Sequence, residues 1–290
     1  MKKILILIPV YNDWDSLKKL INEINKNIKD QNGFLFKCLI INDASTLEQP
    51  KLVKPNNLVS LKILNMKENK GHARCNAFGL KYASEKEDFD YIIVMDGDGE
   101  DRPEELQSLI RKIREYPDYS VVARRIKRSE GFFFKFLYEL HKLITLIFTG
   151  KKIDFGNYSC LTKKDIETLV EKKSLWTSFS GTVKKYLKQL RDIKSIRGSR
   201  YFGPSKMSFF NLLIHSFSII AVFKYQVFLR SILIIFLFIC LETLFGMIMI
   251  FFQVMIVIFN LIIFLVSLRE KKIDLSVSQS NLDNIKIISH

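Results

Sequence analysis

Cysteine is scarce in this chain: 290 residues contain four, Cys38, Cys75, Cys160 and Cys240. Their spacing is not that of metal ligands, and each falls in an apolar or helix-like stretch. The pattern argues against a disulfide scaffold and a zinc site, and it fits a reducing compartment. Charge is missing from one long segment, residues 231–268, where Glu242 is the single charged side chain. These 38 residues exceed what a soluble core helix needs and read as membrane-embedded. As one helix they would reach about 57 Å at about 1.5 Å per residue, nearly twice a hydrocarbon core of about 30 Å. Two tight spans with a reversal between Gly246 and Gln253 fit better, although Glu242 would be costly against lipid.

Acidic residues are absent from Lys194 to Arg230, a stretch holding Lys194, Arg197, Arg200, Lys206, Lys224 and Arg230. A net charge of +15 could suit nucleic acid. The positive charge instead gathers beside the apolar block, as on the cytoplasmic side of a membrane facing anionic lipid. Arg269, Lys271 and Lys272 follow the block, so both of its ends are expected in the cytoplasm. The N-terminal apolar run is short and contains Pro9, which suits a buried strand better than an export signal. There is no internal repeat, no GxGxxG after the first strand and no P-loop motif, so a classical dinucleotide or P-loop enzyme is unsupported.

What is present is an alternation. Residues 3–10, 36–42, 59–64 and 91–95 read as strands. Leu17, Leu20, Ile21, Ile24 and Ile28 mark a helix face, and residues 72–85 and 103–116 predict two further helices, the last capped by Asp101 with Pro103 in its first turn. The series implies an α/β fold with a mostly parallel sheet covered by helices. The expected organisation is a cytoplasmic catalytic domain over 1–206, an interfacial amphipathic helix over 207–229, two transmembrane helices over 230–268, and a cytoplasmic tail over 269–290, polar and partly disordered. Residues 131–149 predict another very apolar helix, either interfacial or in the core.

Ligands of such sheets bind beyond the carboxyl ends of the strands. Tyr11, Asn12 and Asp13 follow the first strand, Asn42 and Asp43 close the second, and Asp96 and Asp98 follow the fourth. The segment "MDGDGEDRPEE" places six carboxylates in the ten positions 96–105. Asp96 and Asp98, separated by Gly97, can face one Mg²⁺ or Mn²⁺, whose remaining positions take diphosphate oxygens. A solvated Asp/Gly-rich surface turn would look the same over so short a motif.

Four ordered segments resemble family 2 glycosyltransferases of the GT-A (Rossmann-like) fold, in particular the polyprenyl-phosphate branch related to dolichol-phosphate mannose synthase. "IPVYND" at 8–13 resembles the opening strand and nucleotide-contacting turn, and "IINDAS" at 40–45 the second strand. "NKGHARCNAFG" at 69–79 resembles an Asn-x-Gly segment, with Cys75 at a usual alanine. "MDGDGEDRPEE" resembles the metal loop, with Glu100 where Gln is usual, Gly99 for Leu and Arg102 for Pro. More loosely, "VVARR" at 121–125 resembles a V-V-x-G-S-R segment, and "RYFGPSKMSF" at 200–209 an R-x-x-G-x-S-K segment before the membrane. The alternative for Arg124, Arg125, Lys127 and Arg128 is a solvated basic face, and for Lys206 simple attraction to the lipid surface.

The resemblance implies metal-dependent, inverting transfer of a sugar from a UDP- or GDP-sugar to a membrane-bound acceptor, most readily polyprenyl phosphate. Pro9, Tyr11, Asn12, Asp43 and Gly71 would contact the nucleotide, and Asp96 and Asp98 would hold the metal–diphosphate. Arg125, Arg200, Ser205 and Lys206 would meet phosphate. A lipid phosphate is already an anion and needs no strong base, whereas a hydroxyl acceptor on a lipid-linked or surface glycan would need Asp101 or Glu100 as one. A catalytically inactive, membrane-anchored binding protein is the alternative from another class. A channel is disfavoured by two spans with one ionisable residue, and nucleic acid by the acidic crevice. The Lys-, Ile- and Asn-rich usage suggests a bacterial envelope-polysaccharide role, and the oligomeric state is open, a homo-oligomer included.

Overall fold

Alternation along the first strand sets up the layers. The computed structural model describes residues 1–127, 132–204 and 208–289, with backbone alone for 127, 132–135 and 272. In it β1 (Lys2–Val10) is buried from Ile4 onward. Ile4, Ile6 and Ile8 belong to a core with Leu17, Leu20 and Ile24 of α1 (Trp14–Ile28), joined by Leu106 and Ile110 from a helix after the acidic turn. Leu5 and Leu7 belong to the opposite core, with Phe78 and Leu80 of α2 (His72–Lys86). A strand buried on both faces carries no polar alternation, which is why "KILILIPV" is continuously apolar. Each such Ile or Leu contributes about 1.5–3 kcal/mol by leaving water.

The four expected strands are present as β1, β2 (Phe34–Asn42), β3 (Leu58–Met66) and β4 (Tyr91–Val94). They pair in parallel in the order β3-β2-β1-β4. The helix expected over 103–116 begins as a 3-10 turn, Pro103–Glu105, and continues as α3 (Leu106–Glu115). Asp101 does not cap it. Its carboxylate turns back to accept the Asp96 N–H at 2.9 Å, and no side chain caps the turn.

Beyond β4 the chain adds β5 (Ser120–Lys127), α4 (Phe132–Thr149), β6 (Phe155–Thr162), α5 (Lys163–Val170), α6 (Phe179–Tyr186) and β7 (Leu190–Ile196). β6 lies antiparallel between β4 and β5, and β7 runs parallel to β5 at the edge.

The expected interfacial region divides. α7 (Phe209–Ala221) ends before Val222, and α8 (Lys224–Phe245) already starts at Lys224 rather than after Leu229. α8 turns at Gly246 into α9 (Met247–Ser267). At 22 and 21 residues the two helices reach about 33 and 32 Å, enough for a hydrocarbon core of about 30 Å. Only 11% and 17% of their most apolar windows are buried inside the protein. An apolar surface that large is far beyond what a soluble monomer exposes, so the pair is long, apolar and unshielded enough to cross a membrane.

α4 lies beside this hairpin, not in the soluble core. Phe148 stacks on Phe259 of α9 with centroids 4.6 Å apart, Arg230 of α8 donates to the Ile147 carbonyl at 3.1 Å, and Leu140, Leu143 and Leu146 are exposed. Lys224 Nζ lies 3.8 Å from Glu270, closing the base of the hairpin.

The tail expected to be partly disordered is folded. A short helix, α10 (Lys272–Ser276), leads to β8 (Leu282–Ile288), which pairs antiparallel with β3. Four of the seven strand pairings among the described residues are parallel. Chain leaving through α7 and chain returning to the β3 edge are thus held by one domain.

β8 therefore covers an otherwise open sheet edge. Removing residues 281–290 is expected to lower the melting midpoint of the detergent-purified protein by about 5 °C or more and to promote aggregation. Scanning fluorimetry with light scattering checks this, and an unchanged midpoint would show that β8 adds nothing to the sheet.

Candidate active site

Three neighbouring parallel strands, β4, β1 and β2, end side by side, and the residues at or just after their ends carry the polar groups. The turn after β4 is drawn in tightly. A Cβ on Gly97 would come 2.8 Å from the Pro9 carbonyl oxygen, so only glycine lets the turn lie against the end of β1. Gly99 has φ +86° and the ring of Tyr201 stacked where a side chain would be. Asp96 and Asp98 are thereby presented from a turn that is pinned on both sides.

The neighbouring loops are tied by side chains. Asn12, at φ 51°, accepts the N–H groups of Thr46 at 2.8 Å and Leu47 at 3.0 Å, and its amide donates to the Thr46 hydroxyl at 3.0 Å. Asp43 is 3% exposed and accepts the backbone N–H groups of Lys70 and Gly71, each at 2.9 Å. Burial raises the Asp43 carboxyl, while those two N–H donors oppose the shift. Both residues shape the walls of the crevice at the strand ends, and Tyr11 is exposed beside them.

Each carboxylate of the acidic turn has a different environment. Asp96 Oδ1 lies 3.2 Å from His72 Nε2 and accepts from Asn157 Nδ2 at 3.1 Å. Burial works against its ionisation, but His72, Arg197 and Asn157 outweigh burial and hold Asp96 well below the usual carboxylate range. Asp98 Oδ1 accepts the Glu100 N–H at 3.0 Å, and Oδ2 accepts Arg200 Nη1 at 2.6 Å. Burial and the charge of Asp96 nonetheless raise it. Asp101, 4% exposed, is pushed up to about 7 by burial and Asp96, against Arg125 and Arg197. Crowded carboxyls spread their pKa values, so one ionises readily and its neighbours hold protons longer. Burial pulls His72 down, yet Asp96, Asp98 and Asp101 raise it above its ordinary value.

A basic segment closes over the turn. Gly198 N–H donates to the Glu100 carbonyl at 2.8 Å and Tyr201 N–H to the Asp98 carbonyl at 2.9 Å. Arg197 pairs with Glu100, and Arg200 pairs with both Asp98 and Asp13. Arg125 lies against Gly156, with its N–H on the Asp154 carbonyl at 2.8 Å, and is near enough to bear on Asp101. Arg124 faces elsewhere, paired with Asp192 at 2.8 Å. Ser205, Lys206 and Arg128 lie outside the described residues.

Pro9, Asp96, Asp98, Asp101, Arg125 and Arg200 thus converge. Asp13, noted at the end of the first strand, joins them, as do His72, Asn157 and Arg197, which had not been singled out as site residues. A histidine in a chain with four, and two arginines three apart in a stretch without acid, were the available signals. Asn157 had none, because its position depends on β6 pairing with β4.

Asp96 and Asp98 offer hard oxygens that suit Mg²⁺ or Mn²⁺, and each is balanced by a cationic side chain, so the donor set fits such an ion. Among the described residues no group of three or more His, Cys, Asp or Glu side chains converges to hold a metal by itself. Phosphate oxygens and water would have to complete the coordination.

The sheet with its acidic strand-end turn is a GT-A-like nucleotide-sugar scaffold, and the match of the Glycosyl transferase family 2 model to residues 5–179 identifies the chain as a member of that family. The undecaprenyl-phosphate 4-deoxy-4-formamido-L-arabinose transferases of Salmonella paratyphi B and Salmonella newport are each 27% identical over 220 residues, 73% of this chain and 65% of theirs. The chain spans just under two thirds of the length of these curated relatives, and they relate it to polyprenyl-phosphate sugar transferases. Glucosyl-3-phosphoglycerate synthase from Mycobacterium tuberculosis, solved with Mn²⁺, UDP-glucose and phosphoglyceric acid, shares the fold. Its TM-score is 0.52 at 12% identity, over 78% of this chain and 80% of that one.

The Asp101 shift has a signed consequence. Its proton is held more tightly in the folded state, so the stability it contributes below about pH 4 is lost as pH rises through about 7. Asp101→Asn cannot ionise. Without divalent cation, its melting midpoint relative to wild type is therefore expected to rise between pH 5 and pH 8. A flat difference would show that folding leaves the Asp101 carboxyl unshifted, and a falling one that it is stabilised as an anion.

Proposed function

We propose that the protein transfers a sugar from a UDP- or GDP-sugar to polyprenyl phosphate at the cytoplasmic face of a membrane, with inversion, within the branch related to dolichol-phosphate mannose synthase. The observation that carries this reading is the pairing of the acidic 96–101 turn with Arg197 and Arg200, in the segment that leads directly to α7 and the apolar hairpin. A diphosphate donor and a membrane-held anionic acceptor need those two neighbourhoods side by side.

In this reading the walls formed by Tyr11, Asn12, Asp43 and Gly71 take the nucleoside. Asp96 and Asp98 would hold Mg²⁺ or Mn²⁺, which when bound screens the diphosphate and favours its departure. Arg125 and Arg200, with Ser205 and Lys206 beyond the described residues, orient phosphate and offset its charge. An acceptor phosphate oxygen attacks the anomeric carbon from the face opposite the leaving group. The bond from that carbon to the nucleoside diphosphate breaks, and no proton has to be removed from the acceptor.

The two carboxylates considered as bases for a hydroxyl acceptor are engaged elsewhere. Asp101 accepts the Asp96 N–H, and Glu100 is paired with Arg197. That favours an acceptor already ionised. The Salmonella relatives carry undecaprenyl phosphate in their name, which supports the same acceptor class. The Mycobacterium structure contains Mn²⁺ and UDP-glucose, which supports the cation and donor class.

Detergent-purified protein is expected to turn over a UDP- or GDP-sugar in the presence of Mg²⁺ or Mn²⁺ and undecaprenyl phosphate. Asp98→Ala should lose about 100-fold or more in rate with the fold retained, as read by circular dichroism. Donor hydrolysis indifferent to the lipid would move the acceptor to a hydroxyl, and full activity of the variant would sink the metal assignment.

The positive flanks and the shared domain at both ends of the hairpin support a cytoplasmic catalytic domain. In a Cys240→Ser background, a cysteine placed at Met247, 85% exposed beside the turn, is expected to react with a membrane-impermeant maleimide from outside intact cells. A cysteine placed at Ser280 should react only after lysis. The reverse pattern would invert the topology.

A further inference from the structure

Arg200 joins two carboxylates that come from different strand ends. Nη1 donates to Asp98 Oδ2 at 2.6 Å while Nη2 pairs with Asp13, just after β1. Both carboxylate oxygens of Asp98 carry a partner in this arrangement, since the other oxygen accepts the Glu100 N–H, and the Asp98 carbonyl accepts the Tyr201 N–H. Arg200 therefore supplies at Asp98 the positive charge that a divalent cation would supply. Its third nitrogen, Nε, is buried without a hydrogen-bond partner. Buried guanidinium donors are rarely left unmade, and this one belongs to a site whose ligand class is phosphate.

We propose that Arg200 holds the cation's place on Asp98 in the donor-free enzyme, and that Asp13 is the positioning residue that keeps the guanidinium at the site when cation and diphosphate enter. A dication and a guanidinium on one carboxylate oxygen repel each other, so occupation by one displaces the other. Released from Asp98 but still paired with Asp13, Arg200 then has Nη1 and Nε free for phosphate oxygens. The exchange makes Arg200 a competitor of the bare cation and a ligand of the cation–nucleotide complex. Asp13, absent from the motif logic of the acidic turn, acquires a role through Arg200. The inference rests on the metal reading of Asp96 and Asp98 given above.

The test is Mn²⁺ titration of the full-length, detergent-purified protein, followed by the free Mn²⁺ electron paramagnetic resonance signal, with and without UDP. Arg200→Gln removes the competitor, and its affinity for Mn²⁺ alone is expected to rise about fivefold or more. The wild-type affinity is reduced by the fraction of molecules in which Asp98 is free. With UDP present the same variant should bind Mn²⁺ more weakly than wild type. Arg200→Lys keeps the charge without the fork that spans both carboxylates, so it should fall between the two and carries the test if the glutamine variant does not fold. Asp13→Asn should weaken UDP–Mn²⁺ binding and add nothing further when combined with Arg200→Gln.

A Mn²⁺ affinity that is unchanged or lower in both Arg200 variants overturns the exchange. Additive effects of the Asp13 and Arg200 substitutions overturn the anchoring role. Absence of Mn²⁺ binding in every protein, even with UDP, removes the metal reading itself, an outcome distinct from the other two.

Discussion

Like-charge crowding in the turn after β4 is the constraint on which the site depends. Asp96, Asp98, Glu100 and Asp101 fall within six positions and are largely withdrawn from solvent. Such a group cannot ionise freely without cations nearby. The protein supplies them from three separate parts of the chain: His72 at the start of α2, Arg125 at the end of β5, and Arg197 and Arg200 beyond β7. Each of those segments is consequently held at the strand ends by the charge of the turn as well as by its own packing.

The same pairing connects the chemistry to the membrane. The segment that neutralises the turn is the one that runs on to α7 and the hairpin, so the acidic end of the sheet and the apolar helices are adjacent by chain connection. The return path reinforces this, because α9 leads through α10 to β8 on the far edge of the sheet. With Lys224 facing Glu270 at its base, the hairpin is gripped at both ends by one domain. A domain held in that way keeps its acidic strand ends at a fixed distance from the apolar helices.

Much of the first hundred residues was legible from pattern. The central strands are buried on both faces, so their apolar runs are long and unmistakable, and α1 and α3 show one buried stripe each. The acidic turn was legible as a candidate site because it follows a strand and stands with three other ordered segments that resemble one family, whereas two aspartates around a glycine would by themselves suit a solvated surface turn equally well. Less legible were β5, β6, β7 and β8. Strands β7 and β8 are sheet edges with mostly exposed side chains, and a run such as "LDNIKII" carries no strong alternation to distinguish it from a polar tail. The expected cap role of Asp101 failed for a related reason: a carboxylate beside a helix start can serve either the helix or its own turn, and the nearer N–H of Asp96 prevailed.

What the sequence alone determined were the α/β class, the apolar hairpin, and the acidic turn at a strand end, because each depends on local composition and short periodicity. The tertiary structure decided the partners of that turn. His72, Asn157, Asp13 and Arg200 are separated by up to 187 residues, and although local sequence places Asp13 at a strand end and Arg200 in a basic segment, it does not show which of them meet. They meet because strand order in the sheet, not order in the chain, sets which loop ends share a crevice, and strand order follows from the packing of both faces at once.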